Sequence, residues 1–441
     1  MEKATLETLD VMEELALSIM DSTDCAIGIR SRAHGIQRTD TAIVKTMKNI
    51  SGRGAVHVHI ISRFPAYLFV LTEVDIPGYI ALVGEGRYAD AVRLIRKDNP
   101  FPTTCGFICE HPCEARCRRN MVDDKINIRG LKRVAADFAG KVSPPTCAAP
   151  TGKRIAIVGG GPCGLSSAYY LQLMGHQTTV YEMLPELGGM LRYGIPNYRL
   201  PKERLDEDIQ AILDTGVEVQ YGKRIGDDLT IQQLREQYDA VLISIGASTD
   251  KKLGIEGETA DGVVSAVHFL RDVGLGKKPD LSGQEVAIIG GGNVSMDAVR
   301  TAIRLGAKKV SIVYRRRIAD MTALPDEIEG AIAEGVEVQV LKAPSRIDLD
   351  ESGHIRGLFV TPQMVSKIKD GRASIRPTGE EDLFIPCTTL IVAIGQDIES
   401  GHFEQADFPV MRGRLMSAKM PASRIFRASS PAGTVQPVHL P

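Results

Sequence analysis

Three groups of residues in this chain have types and spacings that could do chemistry: two glycine runs and a cluster of thiols. The first glycine run follows Ile155-Ala-Ile-Val158 and reads Gly159-x-Gly161-x-x-Gly164. The second follows Val286-Ala-Ile-Ile289 and reads Gly290-x-Gly292-Asn293, with Ser295 where a third glycine would stand. Each fits a strand, a tight turn and a helix, in which small residues let backbone amides and the positive helix end approach a pyrophosphate.

The residue ending the next strand discriminates between nucleotides. After the first run, Thr178-Thr-Val-Tyr-Glu182 ends in a carboxylate. A carboxylate there accepts hydrogen bonds from ribose hydroxyls, as an FAD or NAD site requires. After the second, Val310-Ser-Ile-Val-Tyr-Arg-Arg-Arg317 puts guanidinium groups, Arg315 and Arg316 among them, at the matching point. Their planar forks suit a 2′-phosphate, which a carboxylate would repel. The pair reads as one FAD or NAD site and one NADPH site.

The thiols are Cys105, Cys109, Cys113 and Cys117, half of the eight cysteines in 441 residues. So few cysteines in so long a chain do not make a disulfide scaffold, and the crowding points to metal or iron-sulfur ligation. On a helix, residues four apart share a face, so up to three of these thiolates could converge on one cluster. The spacing is not that of ferredoxins, and zinc would use the same ligands. Cys25, Cys147, Cys163 and Cys387 stand apart and read as plain small residues.

The elements that must position these groups divide the chain in three. Residues 1–145 look mainly helical, with stripes at Leu9, Met12, Ala16, Ile19 and Met20 and along Tyr88–Arg96. A proline-rich linker, Ser143–Gly152, precedes the first glycine run. From Lys153 the pattern is βαβ, as in doubly wound sheets. The second run opens its own unit, residues 281–386, with a helix expected over Asp326–Glu334. The run Thr389–Gln396 repeats the pattern of Asp239–Ala247. One nucleotide domain inserted into another is the simplest arrangement, with an FAD-binding part at 150–280 and 387–441 and the crossings at these two strands.

Charge is balanced, 53 basic against 55 acidic residues, which gives no argument for nucleic acid or an anionic membrane as partner. The longest apolar run, Phe64–Thr72, is too short to span a bilayer. The opening Met1-Glu-Lys-Ala-Thr-Leu-Glu7 lacks the basic and apolar regions of a signal peptide, so a cytoplasmic location is expected.

The order of these features resembles a known family, the small subunit (β chain) of NADPH-dependent glutamate synthase and its relatives. Those relatives include the large subunit of NADH-dependent ferredoxin:NADP oxidoreductase and the N-terminal half of dihydropyrimidine dehydrogenase. The similarity runs from Val74 to Gln405. It includes Asp75-Ile-Pro-Gly-Tyr79, the cysteine segment with Ile126-Asn-Ile-Arg-Gly-Leu131, both glycine runs, Gly188–Pro196, Arg199-Leu-Pro-Lys202 and Ala393-Ile-Gly-Gln396.

The resemblance implies an α/β protein with two Rossmann-like nucleotide-binding domains, one inserted in the other, preceded by an α-helical iron-sulfur domain. It implies hydride transfer from NADPH to FAD, then single electrons leaving through [4Fe-4S] clusters to a partner such as the glutamate synthase large subunit. Flavin suits that task because it accepts two electrons and releases them singly. Carried onto this chain, Gly159, Gly161, Gly164 and Glu182 bind FAD, with Gly189 and Arg192 near it. Gly290, Gly292, Asn293, Arg315 and Arg316 bind NADPH, and Gly395 belongs to the cofactor-binding set. No side chain need act as acid or base in hydride transfer, so positioning carries the catalysis.

The pattern breaks twice. Relatives carry a further cysteine group just before the Asp75-Ile-Pro element, whereas His57–Thr72 has none. With four cysteines in the domain, at most one cluster is expected, with Cys109, Cys113 and Cys117 the better ligands and Cys105 the weaker. The family's Gly-Asp element near the C-terminus is replaced by Ser423–Gly433. Both breaks are abrupt, as reading-frame shifts over residues 30–73 and 412–441 would leave them, and an intact frame on resequencing would contradict that reading.

The same features would also suit the electron-input subunit of another oxidoreductase, of the ferredoxin:NADP oxidoreductase type, and two further functions compete with an electron-input role. One is a catalytically silent nucleotide-binding or assembly subunit that has lost stable FAD, which the two breaks favour. The other is a stand-alone disulfide reductase, which needs a Cys-x-x-Cys or Cys-x4-Cys pair that the flavin domain lacks. Nothing resembles an ammonia-releasing amidotransferase site, so any glutamine chemistry falls to a partner.

Overall fold

The computed structural model describes residues 57–60, 74–369, 372–399 and 401–404, together with short strand pieces at 410–411, 414–415, 425–426 and 437–438. The helical stripe at Leu9–Met20, the cysteine-free stretch at 61–72 and the Gly-Asp replacement lie outside the described residues, apart from the strand Ile425–Phe426. The chain forms two compact units. One contains the described residues up to Leu191, then Leu200–Gly246 and those from Ile398. The other contains Arg192–Arg199 and Ala247–Asp397.

The first unit opens with helices α1 (Ile76–Gly84), α2 (Tyr88–Arg96), α3 (Pro102–Ile108), α4 (Pro112–Ala115) and α5 (Ile128–Phe138). Local sequence sets their starts. The Asp75 side chain accepts the Gly78 N–H at 2.9 Å, and Asn127 does the same for Gly130 at 2.9 Å. Each satisfies one of the orphan donors of a first turn. Tyr79, Ala91, Val92, Ile95, Ile128 and Ala135 form a buried core, and the Tyr79 hydroxyl donates to the Ile128 carbonyl at 3.1 Å, tying α1 to α5.

The rest of this unit is a parallel sheet in the order β1-β5-β2-β3-β4. Its strands are β1 (His57–Ile60), β2 (Arg154–Val158), β3 (Gln177–Glu182), β4 (Glu218–Tyr221) and β5 (Ala240–Ile243). All four residues of β5 are buried, as expected of a strand covered on both faces. Helix α6 (Pro162–Leu173) connects β2 to β3, while α7 (Lys202–Leu213) and α8 (Ile231–Gln237) flank β4.

The second unit repeats the plan. Its parallel sheet has the order β10-β9-β8-β15-β7, from β7 (Val263–Ser265), β8 (Glu285–Ile289), β9 (Lys309–Tyr314), β10 (Glu337–Val340) and β15 (Thr389–Val392). Helices α9 (Ala266–Gly274), α10 (Asn293–Arg304) and α11 (Pro325–Ala333) belong to it, the last over the expected helical run. Four antiparallel strands, β11 (Lys342–Leu349), β12 (Ile355–Lys369), β13 (Arg372–Pro377) and β14 (Leu383–Pro386), form a separate sheet.

Strand β15 pairs with β8 and β7. The chain therefore leaves the second unit after Asp397, downstream of the Thr389 strand, and the unit takes in residues 247–280 as well as 281–386. The pair β6 (Thr249–Asp250) and β16 (Gln396–Asp397) joins the two ends of this unit.

Candidate nucleotide and cluster sites

In both units the glycine turn sits at the carboxyl end of a central strand, where the chain must reverse into a helix without side-chain bulk. Gly159 has φ +108, and a Cβ there would stand 2.5 Å from the Ser244 carbonyl oxygen. At Gly164 a Cβ would stand 1.9 Å from the Gly159 carbonyl oxygen, so this position must be glycine for α6 to pack on β2. Gly161 differs: a Cβ would meet only the Gly189 Cα, at 3.8 Å. Its open side is where a pyrophosphate would lie against the first turn of α6.

Glu182, at the end of β3, is buried. Its two oxygens accept the N–H groups of Gly160 and Leu184, each at 2.8 Å. Burial raises its pKa, and these backbone donors oppose the rise. The carboxylate is thus fixed beside the glycine turn, with acceptor capacity left for a ribose. Gly189, with φ +51, packs so tightly on Gly161 that a Cβ would come 2.8 Å from its Cα. Arg192 is buried and belongs to the second unit.

The second turn has the same logic. Gly290 (φ +150) packs on the Ala393 carbonyl, where a Cβ would stand 2.4 Å away. Gly292 faces only Thr322 Oγ1, at 3.4 Å from such a Cβ. Asn293 starts α10, and its side-chain oxygen accepts the Leu324 N–H at 3.1 Å. Gly395 has φ +135 and lies against the Lys251 side chain.

The arginine run divides by role. Arg317 is committed to Asp320, with Nε and Nη2 at 2.8 and 2.9 Å. Asp320 also accepts the Ala373 N–H, and its pKa is driven far down, chiefly by Arg317. Arg316 donates through Nε to the Ala373 carbonyl at 3.2 Å. Arg315 is exposed and makes no ion pair among the described residues. Arg315 and the remaining nitrogens of Arg316 are therefore the groups at the end of β9 available to a phosphate.

The cysteines occupy the segment from α3 through α4 to the turn beyond. Cys105 is buried within α3, and Cys109, Cys113 and Cys117 are partly buried. Burial pushes the Cys105 thiol up to about 12 and raises Cys109 and Cys113 as well. Opposing this, Cys109 Sγ accepts the His111 N–H at 3.3 Å, and Lys132 supplies positive charge to all three sulfurs. Among the described residues, no three His, Cys, Asp or Glu side chains gather as a metal site. The four thiols do not form a closed cage in this arrangement.

Two residues of importance were not evident from sequence. Asp208 on α7 contacts α3, and Asp297 on α10 holds Arg199. Arg199 opens the Arg199-Leu-Pro-Lys202 motif and Asp297 lies two residues beyond Ser295, but neither stretch indicates their pairing.

Two parallel sheets, each with a glycine turn after its central strand, form the frame of an oxidoreductase that uses FAD and NADPH, as the family match shows. Residues 153–420 match the model of the pyridine nucleotide-disulphide oxidoreductases, and residues 70–143 match that of dihydropyrimidine dehydrogenase domain II, 4Fe-4S cluster. The chain belongs to the pyridine nucleotide-disulphide oxidoreductase family, in the group that carries this 4Fe-4S domain and includes the glutamate synthase small chains.

Its relatives include the NADP(+)-dependent formate dehydrogenase subunit beta of Moorella thermoacetica, 38% identical over 81% of this chain and 52% of the relative. The NADPH-Fe(3+) oxidoreductase subunit beta of Geobacter sulfurreducens is 40% identical over 74% and 49%. The glutamate synthase [NADPH] small chain of Escherichia coli is 32% identical over 73% and 71%. The chain thus spans about half the length of the first two. FprA of Mycobacterium tuberculosis in complex with NADPH shares the fold, with TM-score 0.50 and 20% identity over 60% of this chain and 76% of that one. Among the described residues, no helix is long and apolar enough to cross a membrane.

Proposed function

We propose that this chain is the electron-input subunit of a larger oxidoreductase, taking hydride from NADPH and passing electrons to a partner subunit, the glutamate synthase large chain. The observation that carries this reading is the contrast between the two cradles: a fixed carboxylate, Glu182, ends one, and Arg315 with Arg316 ends the other. FAD, when bound, accepts electrons in pairs and releases them singly.

The chain's own residues bind and orient. Gly161 leaves room for a pyrophosphate at α6, and Glu182 accepts ribose hydroxyls. Gly292 leaves the same room at α10, and Arg315 and Arg316 take a 2′-phosphate. Holding both nucleotides in reacting geometry supplies the rate, since hydride transfer needs no protein acid or base. Of the cysteines, Cys109, Cys113 and Cys117 are proposed to serve the cluster, with Cys105 the weaker ligand.

A second reading, input subunit of an enzyme of the formate dehydrogenase or Fe(3+)-reducing type, is favoured by the higher identity to those beta subunits, 38% and 40% against 32%. Anaerobic NADPH oxidation by the purified chain separates the two. Glutamate formed only when a glutamate synthase large chain is added supports the first. Rapid turnover with Fe(3+) and no glutamate supports the second.

A further inference from the structure

Strand β13 is an edge of its sheet: it pairs with β12 on one side and, among the described residues, with no strand on the other. An edge strand leaves outward N–H and carbonyl groups to be satisfied elsewhere, and Ala373 in β13 is only 2% exposed, so water cannot serve them. Both of its partners come from the loop that follows β9. Asp320 Oδ1 accepts the Ala373 N–H at 3.0 Å, and the Ala373 carbonyl accepts Arg316 Nε at 3.2 Å. One buried peptide edge thus connects a carboxylate to an arginine of the run.

Asp320 is itself fixed. Its Oδ2 accepts the Arg317 N–H at 3.3 Å and Arg317 Nε at 2.8 Å, and Oδ1 accepts Arg317 Nη2 at 2.9 Å, closing the short turn Ile318–Asp320. Its own N–H donates to the Arg317 carbonyl at 3.0 Å, and its carbonyl accepts the Tyr314 hydroxyl at 2.8 Å. The Tyr314 ring lies against the second glycine turn, where a Cβ on Gly291 would stand 2.7 Å from it. The Asp320 side chain is fully buried and both oxygens are filled by these donors, so it has no capacity left for a nucleotide. Arg316 differs: it is half-buried and spends Nε alone on Ala373. A guanidinium held at Nε keeps its planar fork in one direction, and a two-pronged contact with phosphate oxygens depends on that direction.

We infer that Asp320 is a positioning residue for the choice of NADPH over NADH: through the N–H and carbonyl of Ala373 it fixes the direction of the Arg316 fork, and so its grip on a 2′-phosphate, without touching the nucleotide. This rests on the reading of Arg315 and Arg316 as phosphate ligands given above, and adds the residue that aims one of them. Arg317 lies off this route, because Asp320 keeps its contact with Ala373 when Arg317 is removed.

The test is calorimetric titration of the oxidised full chain with NADP+ and, separately, with NAD+, which reads binding without hydride transfer. Asp320→Ala is expected to lower the NADP+-to-NAD+ affinity ratio about tenfold, as loss of one charged contact to phosphate would, with NAD+ affinity changed by less than about twofold. Arg317→Ala separates aim from stability: it should lower the melting temperature and hold the ratio within about twofold. In an Arg316→Ala background, Asp320→Ala should lower the ratio no further, because the group it aims is gone. If Asp320→Ala does not fold, Asp320→Ser, whose shorter side chain withdraws from Ala373, decides on the same ratio. An unchanged ratio, a matching fall in Arg317→Ala, or a fall that persists in the Arg316→Ala background overturns the proposal and leaves the NADPH reading standing. An unmodified chain that binds NADP+ and NAD+ equally would overturn that reading, and this proposal with it.

Discussion

The Asp208 carboxylate accepts the backbone N–H of Thr104 at 2.7 Å, across 104 residues of sequence, and that of Thr103 at 3.3 Å. Helix α3, which carries Cys105, has no side-chain cap of its own, because its N-cap is Phe101. The cap comes from α7, beside the parallel sheet of the same unit. Two orphan donors of the cysteine helix are thereby satisfied by a fully buried carboxylate.

Asp208→Ala leaves those two N–H groups buried without partners, at a cost of about 2–3 kcal/mol. Thermal unfolding should show this loss. Iron content should fall in the same variant while FAD content is kept, because the damage centres on α3. Iron retained at the unmodified level would contradict the cap's role in holding the cysteine segment.

The glycines of the first cradle separate fold from binding. Gly164→Ala drives a methyl into the Gly159 carbonyl, 1.9 Å away, and should cost several kcal/mol and most soluble protein. Gly161→Ala meets nothing closer than 3.8 Å in the protein itself. It should fold with stability within about 0.5 kcal/mol of the parent but bind FAD at least about tenfold more weakly. Equilibrium FAD titration beside a thermal melt reads both quantities.

The arginine run should split in the same way. Arg315→Ala with Arg316→Ala should weaken NADPH binding about 100-fold and NADH binding little, since a lost charged hydrogen bond is worth about 1.5–3 kcal/mol. Arg317→Ala should leave the NADPH-to-NADH ratio intact and lower stability, because that side chain is spent on Asp320. Equal losses for both nucleotides in the double variant would refute the 2′-phosphate role.

Acid should loosen the α10–α11 pairing. Arg304, then Arg300, hold the Glu334 carboxyl down at about 2, against an ordinary 4.5. A depressed carboxylate contributes stability that is present above pH 4.5 and is lost as pH falls through about 2. The contribution is about 1 kcal/mol or less, because the partners keep some solvent. Glu334→Gln should remove it and flatten the stability-pH slope in that window, as chemical denaturation at several pH values would show.

The parts of this molecule legible in sequence are those with local signatures. Both glycine turns, the Glu182 and Arg315 strand ends and the α11 helix follow from periodicity and spacing within a few residues. The rest depends on long-range partners. Nothing near Asp208 indicates that it caps a helix 104 residues earlier. Val263–Ser265 is too short to announce itself as the strand beside β15, so the extent of the second unit was not readable. Three consecutive arginines look alike until Asp320 takes Arg317 and the Ala373 carbonyl takes one nitrogen of Arg316.

Hydride transfer from NADPH to flavin is tested most directly by the anaerobic visible spectrum of the whole purified chain before and after NADPH. A flavin band should be present and should bleach with NADPH, and with NADH only at much higher concentration. A band that NADPH leaves intact, or no band even after FAD is supplied, would contradict that transfer.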